Sequence, residues 1–397
     1  MSKASKMPVE LGGQQKKEAY FTASQSQLIW ARFKKNRSAM IAGAVLIGLI
    51  LMGLLAPFLS PYDPTIAGRD KDYQYGAPQI PLFWDDNGFS WRPFLYTLER
   101  SRSIKTNFRW VSKVNKDKRR YVQFFAKGWK YHLLRLDLDL PGKAFDIRWH
   151  WVEMDIHLFG IDQGGIHLFG TDKSGKDIFA RTLHAVWTSL AVGTIGVLIS
   201  FILALVIGGI SGYFGGFIDS VIQMFTDAIR TVPAIPLFMA LAAFVPDEWS
   251  AQTRFFFISI ILGLIGWPTL ARRVRTHLLT ERAQEYVLAA QLCGASAGHV
   301  IRRHLLPSFT SYIIVDLVIS FPYMVLSETA LSFIGLGLKD PVNSLGVMLQ
   351  NVTNTDVLLN YQWHFIPVIF FMTLVLAFVF VGDGLRDAAD PYSQRNG

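Results

Sequence analysis

The stretch of residues 285–307 reads EYVLAAQLCGASAGHVIRRHLLP and separates two apolar segments of the chain. It has the pattern of a short helix, a break and a second helix that leads into the next apolar segment. Gly294 can supply the left-handed residue that ends the first helix, and Ser296 can cap the second. One helical face is almost free of side-chain bulk, because it carries the small residues Ala289, Ala290 and Cys293. The pattern predicts a helix without a catalytic group that fits a groove on another protein and transmits movement to the flanking segments.

Six apolar segments of the chain are candidates to cross a bilayer. Apolar residues make up 51% of the 397 residues and charged residues only 17%, which is below the charged share of soluble domains. A spanning helix needs roughly 17–25 residues. The candidate segments are residues 38–62, 182–218, 231–246, 255–271, 304–327 and 357–382. The third is short and must borrow from residues 221–228.

Arginine and lysine predict the orientation of these segments. The first 37 residues hold eight Lys or Arg against two acidic residues. The loop between the fourth and fifth segments is also basic, since it contains Arg272, Arg273, Arg275, Arg282, Arg302 and Arg303. By the positive-inside rule both parts are cytoplasmic, and two further crossings put the C-terminus on the same side. The net charge of +9 therefore indicates contact with anionic lipid and not with nucleic acid.

The connection between the first and second segments, residues 61–181, is predicted to form a folded cap outside the membrane. It is basic, but loops longer than about 60 residues cross regardless of charge. It is rich in aromatic residues, and its tryptophans are Trp84, Trp91, Trp110, Trp129, Trp149 and Trp151. Residues 121–140 and 145–158 show patches of apolar alternation, which is typical of strands. We therefore expect a small domain with some β structure.

The predicted fold class is an all-α membrane protein of six transmembrane helices, with a folded extracytoplasmic insert between helices 1 and 2. The expected parts are a cytoplasmic N-terminal segment (1–37), helix 1 (38–60), the insert (61–181), a core of helices 2–6 (182–382) with a cytoplasmic loop (272–306), and a cytoplasmic tail (383–397). Cys293 is the single cysteine, so an intrachain disulfide is excluded.

Catalytic patterns are weak in this sequence. Residues 170–177, GTDKSGKD, come within one residue of a phosphate-binding loop. That loop needs Ser or Thr after its lysine to hold magnesium, and Asp177 stands there instead. The nine histidines show no metal-ligand spacing, and no cofactor is expected in this chain.

Two carboxylates fall within the fifth apolar segment or at its end. Asp316 lies inside it and Glu328 at its far end. A carboxylate in a span is costly and usually faces a cavity or a partner. Both are candidates to line a solute path. The alternative for Asp316 is a hydrogen bond to a neighbouring helix, or a position near the cytoplasmic boundary.

Several motifs, in order along the chain, resemble those of one membrane protein family. They are WARFKKNR (30–37), APFLSPYDP (56–64), HLFGTDKSGKDIFAR (167–181), EYVLAAQLCGAS (285–296) with LLP (305–307), ETALSFIGLGL (328–338) and GDGLRDAADP (382–391). In these motifs the chain resembles the permease subunits of ATP-binding-cassette importers, specifically the oligopeptide/dipeptide (peptide/nickel) family. The insert is longer than typical members carry.

The resemblance implies a transport subunit of a bacterial inner membrane, and not an enzyme. Its partners would be a sister permease in a heterodimer, two cytoplasmic ATPase subunits that bind ATP and Mg²⁺, and an extracytoplasmic solute-binding protein. The residues expected to couple to the ATPase are Glu285, Tyr286, Ala289, Ala290, Gly294, Ala295, Ser296 and Pro307. The solute would be a peptide, with an oligosaccharide or a metal chelate as alternatives. A membrane-anchored extracytoplasmic enzyme or a scaffold is the alternative from a different class.

Overall fold

The computed structural model describes residues 25–65, 73–85, 88–102, 110–132, 135–139, 146–150, 152–161, 165–246, 248–308 and 310–390. The ends of the two predicted terminal segments, residues 1–24 and 391–397, lie outside this range. Its helices are α1 (Gln25–Phe33), α2 (Arg37–Leu54), α3 (Ala56–Leu59), α4 (Ile178–Phe214), α5 (Gly216–Thr231), α6 (Ala234–Ala242), α7 (Ala251–Glu281), α8 (Glu285–Leu292), α9 (Ala297–Val300), α10 (Leu306–Ser308), α11 (Thr310–Phe333), α12 (Leu345–Gln350), α13 (Thr355–Asn360) and α14 (Ile366–Ala389).

Five helical stretches in the described part of the chain are long and apolar enough to cross a membrane. They are α2, α4, α7, Tyr312–Phe333 within α11, and Gln362–Ala389, which contains α14. The pair α5 and α6 makes a sixth span if the two helices are counted together. The predicted class, a helical membrane protein of up to six spans with a β insert, is therefore confirmed.

The predicted third span is not a straight helix. Its α5 and α6 parts meet at an angle of 84°. Val232 between them has an extended backbone, and Pro233 precedes the first residue of α6. A proline disfavours the helical conformation of the residue before it, so the helix ends at that point and restarts in a new direction.

Two of the predicted boundaries that differ from the helices observed lie at the sixth span. The sixth span begins at Gln362 and not at residue 357, because residues 357–360 belong to the separate helix α13. Residues 383–389, predicted as a tail, continue α14. This extension of α14 packs closely against α2, since a Cβ at Gly384 would approach the Ala39 Cβ to 2.3 Å. Arg32 of α1 also reaches the end of α14, where it donates to the Asp390 carbonyl oxygen at 3.3 Å.

α4 is the longest helix, with 37 residues, and it packs along α7. Glycines allow the close approach. A Cβ at Gly208 would lie 2.5 Å from the Ala271 carbonyl oxygen, and one at Gly212 would lie 2.9 Å from that of Arg275. Gly215 then ends the helix with a φ of +67°. These glycines therefore allow close helix packing and a tight turn at the end of α4.

The insert contains seven strands in its described residues. They are β1 (Leu82–Asp85), β2 (Gly88–Arg102), β3 (Trp110–Tyr121), β4 (Gln123–His132), β5 (Arg135–Asp139), β6 (Asp146–His150) and β7 (Glu153–Gly160). They form one three-stranded sheet, β1-β2-β3, and two pairs, β4-β7 and β5-β6, all antiparallel. The end of the helical bundle that carries them is called the insert side, and the opposite end the basic side.

A small core and two tyrosines hold the insert together and connect it to the bundle. Leu95, Val122 and Ile166 are buried together. The Tyr62 hydroxyl accepts a hydrogen bond from the Ile166 backbone N–H at 2.7 Å, and burial raises the pKa of this hydroxyl. Tyr75 stacks on Tyr361, with ring centroids 4.0 Å apart. The Tyr62–Ile166 hydrogen bond joins the two ends of the insert to each other, and the Tyr75–Tyr361 stack joins the insert to the residues that precede α14.

Candidate functional site

The segment between α7 and α11 forms a helix, a break and a second helix, as its sequence predicts. α8 ends in a Schellman motif, in which the Ala295 N–H donates to the Ala290 carbonyl and the Gly294 N–H to the Gln291 carbonyl. Gly294 has the expected left-handed conformation, with a φ of +81°. Ser296 occupies the N-cap position of α9 in an extended conformation, but its side chain makes no capping hydrogen bond. We call residues 285–307 the coupling segment.

One side of α8 anchors the coupling segment to the bundle. Val287 is fully buried and packs in a cluster with Leu278 of α7, Val300 of α9 and Leu305. Ala290 and Ala295 are partly buried against the same cluster. The segment therefore moves with the basic ends of the long helices.

The opposite side of α8 is exposed and apolar. Leu292 is 89% exposed, and Tyr286 and Leu288 are also exposed. Ala289 and Cys293 lie exposed among them. Gly294 and Gly298 have open space where a side chain would stand. This combination of small residues and exposed leucines is a surface that another protein can cover.

The remaining predicted coupling residues lie at the ends of the segment. Glu285 is exposed in the first turn of α8, where a carboxylate is favourable to the helix dipole. The Tyr286 hydroxyl donates to the Glu281 carboxylate at 2.8 Å. Burial and this hydrogen bond raise the pKa of Tyr286. Pro307 is exposed in α10, where the chain turns into α11.

Three ion pairs, made by arginines that lie close together in α7, connect this helix to α5 and α11 at the basic side. Arg272 pairs with Asp227 of α5. Arg275 makes a two-pronged pair with Asp219, also of α5, with both distances 2.5 Å. Arg273 pairs with Asp316 of α11 at 2.7 Å. Sequence reasoning did not find these arginine partners, because the pairing depends on which helices are neighbours.

Asp316 combines the two alternatives that its sequence position left open. Its carboxylate is hydrogen-bonded to a neighbouring helix through Arg273. It also lines a cavity of about 340 Å³, together with Arg230, Thr269, Arg272, Arg273, Thr276, His277 and Tyr312. A role in a solute path stays a prediction.

Glu328 occupies a different kind of place. Its side chain is fully buried between α11 and α4. It accepts hydrogen bonds from the Ser332 hydroxyl at 2.8 Å and from the Ser189 hydroxyl of α4 at 3.4 Å. The Ser189 hydroxyl also accepts from the Leu345 N–H at 3.1 Å. In this conformation Glu328 therefore connects α11 to α4 and is closed off from solvent, and a role in a solute path stays a prediction.

The sequence 167–181 forms a buried polar cluster at the insert side, which we call the latch. Arg181 is 3% exposed, pairs with Asp172 and donates from Nε to the Asn343 side chain at 2.7 Å. The Lys176 ammonium pairs with Asp340 at 2.6 Å. The latch therefore ties the start of α4 to the loop that follows α11.

In the latch, the groups of the near match to a phosphate loop already have protein partners. Asp177 is the N-cap of α4 and accepts from the Ala180 N–H at 2.7 Å, so a carboxylate already takes the place of an anion at this helix end. The Lys176 ammonium is held by Asp340. Among the described residues, no group of three or more His, Cys, Asp or Glu side chains is placed to hold a metal ion.

The far end of α4 contacts the residues that precede the coupling segment. Arg282 follows α7 directly and donates to the Tyr213 carbonyl oxygen at 3.0 Å. The Gln291 side chain of α8 reaches the Tyr213 hydroxyl at 3.3 Å. α4 thus touches the latch at one end and the coupling segment at the other.

Comparison with known proteins agrees with this arrangement. Residues 196–393 match the family described as binding-protein-dependent transport system inner membrane component. Residues 24–79 match the N-terminal TM domain of oligopeptide transport permease C. The chain belongs to the family of binding-protein-dependent transport system inner membrane components. The strands of the insert, residues 82–160, fall between the two matched ranges.

Relatives of similar length give the same assignment. A putative peptide permease protein of Brucella ovis is 35% identical over 263 residues, which cover 66% of this chain and 79% of that protein. The dipeptide transport system permease protein DppC of Bacillus subtilis is 36% identical, over 60% of this chain and 70% of that protein. The predicted resemblance to oligopeptide and dipeptide permeases is confirmed. A solved structure of the MetNI methionine ABC transporter is also similar. The match covers 53% of this chain and 96% of that chain, with 19% identity and a TM-score of 0.42.

Proposed function

We propose that this chain is a permease subunit of an ATP-binding-cassette importer for peptides, and that its coupling segment docks on an ATPase subunit. The docking part of the proposal rests on one observation. One side of α8 is exposed and apolar, with Leu292 89% exposed, and the other side packs against two long helices. The names of the relatives support peptides as the solute. They favour peptides over oligosaccharides and metal chelates.

The geometry supports a mechanical role for this segment. ATP and Mg²⁺ would be bound by the partner subunits, which close on nucleotide and displace α8. Because Val287 packs against α7 and the start of the next span, the displacement is passed to the bundle. The ion pairs of Arg272, Arg273 and Arg275 make α5, α7 and α11 respond together. A two-state bundle whose equilibrium is biased in this way gives alternating access.

The other partners follow from the same assignment. A sister permease in a heterodimer completes the path, and a solute-binding protein delivers the peptide at the insert side. The basic side, where α1 meets the end of α14, is cytoplasmic in a bacterial inner membrane. Support comes from the positive charge of that side and from the contact between Arg32 and the end of α14, which puts α1 and the C-terminal helix end together.

Capture of ATPase subunits tests the proposal. Leu292→Glu places a charge on the exposed side of α8, and we expect it to abolish capture of ATPase by the purified permease pair and to stop peptide uptake in vesicles. Leu359→Glu is the matched control, because Leu359 is also strongly exposed, at 68%, but lies in α13 at the insert side. Equal capture by Leu292→Glu, Leu359→Glu and the unsubstituted chain would show that α8 is not the docking helix.

A further inference from the structure

The β4–β7 pair is fixed to the end of the first span. His157 of β7 is buried, and its ring nitrogens lie 2.9 Å from the Pro57 carbonyl oxygen and 3.0 Å from the Trp129 carbonyl oxygen. Pro57 belongs to α3, which continues α2, and Trp129 belongs to β4. The Trp129 ring also lies 6.4 Å from the ring of His184 on α4. The pair therefore stands against the ends of two spanning helices.

Helix lengths place this contact at the membrane boundary. α2 has 18 residues, or about 27 Å at a rise of about 1.5 Å per residue. The hydrocarbon core of a bilayer is about 30 Å thick. α3 follows after one residue, so Phe58 lies at the level where lipid head groups begin. Just below this level the backbone of Trp187 lies against Gly53, and its indole is exposed, as is typical of tryptophans at a membrane interface.

Two neighbouring phenylalanines of β4 are exposed, and one of them lies beside Phe58. Phe124 is 62% exposed and Phe125 is 67% exposed. The centroid of the Phe125 ring lies 6.5 Å from that of Phe58. Phe125 has a φ of +54°, a conformation that bulky residues rarely adopt. Such strain persists where a function requires it, and here it presents an apolar ring at the level of the lipid head groups.

We propose that Phe124 and Phe125 insert into the lipid leaflet on the insert side and anchor the insert to the membrane surface. The Phe125 ring lies beside the partly buried Phe58, next above the exposed Trp187, and Phe124 adds a second exposed ring at the neighbouring position of β4. Lys127, exposed two residues further along β4, supplies an ammonium for lipid phosphate. Transfer of phenyl rings from water into the apolar part of the lipid leaflet is favourable. The anchor does not depend on which solute the protein carries.

Spin labels in nanodiscs test the anchor. In a Cys293→Ser background, which removes the single thiol, one label is attached at Phe125→Cys and another at Trp91→Cys of β2. Trp91 is 89% exposed and serves as the water-facing control. We expect the label at 125 to gain collisions with oxygen, which concentrates in the bilayer, and to lose collisions with a water-soluble nickel chelate. Equal access of the chelate to both labels would overturn the proposal, and so would loss of both reagents at 125, which would indicate a protein cover.

The unsubstituted chain provides a second measurement that does not depend on a variant. The assembled complex is placed in nanodiscs that contain phosphatidylcholine with a photoreactive diazirine beside its head group. We expect lipid adducts on residues 124–127 and none on Trp91. Absence of adducts from residues 124–127, with adducts present on the spanning helices, would overturn the proposal.

Discussion

Replacement of Arg181 by methionine tests whether the latch stabilises the fold. The guanidinium is almost fully buried, pairs with Asp172 and donates to Asn343. Removing one partner of a buried ion pair typically costs about 3–5 kcal/mol, because the other charge stays behind without compensation. Asp172 keeps the backbone N–H groups of Ser174 and Lys176, at 2.7 and 2.9 Å. We therefore expect a loss near the lower end of the range, about 3 kcal/mol of unfolding free energy.

The matched control is Lys130→Met, which removes a cation from the exposed pair with Glu153 at 3.0 Å on the same insert. That variant should unfold as the unsubstituted chain does, because water solvates both partners. The assay is equilibrium unfolding in mixed micelles at increasing mole fraction of denaturing detergent. Equal midpoints for Arg181→Met and Lys130→Met would refute the stabilising role of the latch.

A double variant separates the charge from the packing. Asp172→Asn combined with Arg181→Met removes both charges but keeps an oxygen for the two backbone N–H groups. Adding Asp172→Asn should recover more than half of the stability that Arg181→Met alone loses, because the effects of changes within one ion-pair network are not additive. Additive losses in the double variant would contradict the assignment of the cost to a stranded carboxylate.

Three further outcomes are expected. Gly208→Ala should destabilise the chain by about 1–3 kcal/mol, as overpacking does, because the new Cβ would lie 2.5 Å from a carbonyl oxygen of α7; Gly209→Ala, with nothing within 4 Å, should be neutral in the same unfolding assay. Gly294→Val should strain the left-handed turn by about 1–2 kcal/mol and uncouple ATP hydrolysis from uptake in vesicles, so undiminished uptake would contradict the role of this turn. Asp316→Asn should leave folding intact, since its partner Arg273 is partly exposed, and should slow uptake; an unchanged uptake rate would remove Asp316 from the solute path.

The parts of the fold that were predictable from the sequence depend on local pattern. Apolar length gave the spans, alternation gave the β insert, and Gly294 marked the break in the coupling segment because a left-handed turn needs glycine. The 84° bend was not predicted, although Pro233 was visible. Whether a proline bends a span or is tolerated within it depends on neighbouring helices, as Pro268 within α7 shows.

The polar contacts were not predictable in the same way. Arg181 and Asn343 are 162 positions apart, and Lys176 and Asp340 are 164 apart. Nothing local to either residue names its partner, so the 167–181 motif was identified only by resemblance. Glu328 was expected at a solute path because the apolar sequence around a carboxylate does not reveal the serine hydroxyl that α4 brings to it.

The length of α4 has a consequence for how the two faces of the membrane communicate. Its 37 residues extend about 55 Å at about 1.5 Å per residue, whereas a whole bilayer with its head groups is about 40–45 Å thick. The helix contains no proline, so it is one unbroken rod that protrudes into water. Arg282 contacts α4 at Tyr213, near one end of the helix, and Arg181 lies near the other end. A rotation of the helix at Tyr213 therefore reaches Arg181 without an intervening hinge. In the proposed importer, one continuous helix therefore links the side of the ATPase subunits to the side that receives the solute-binding protein.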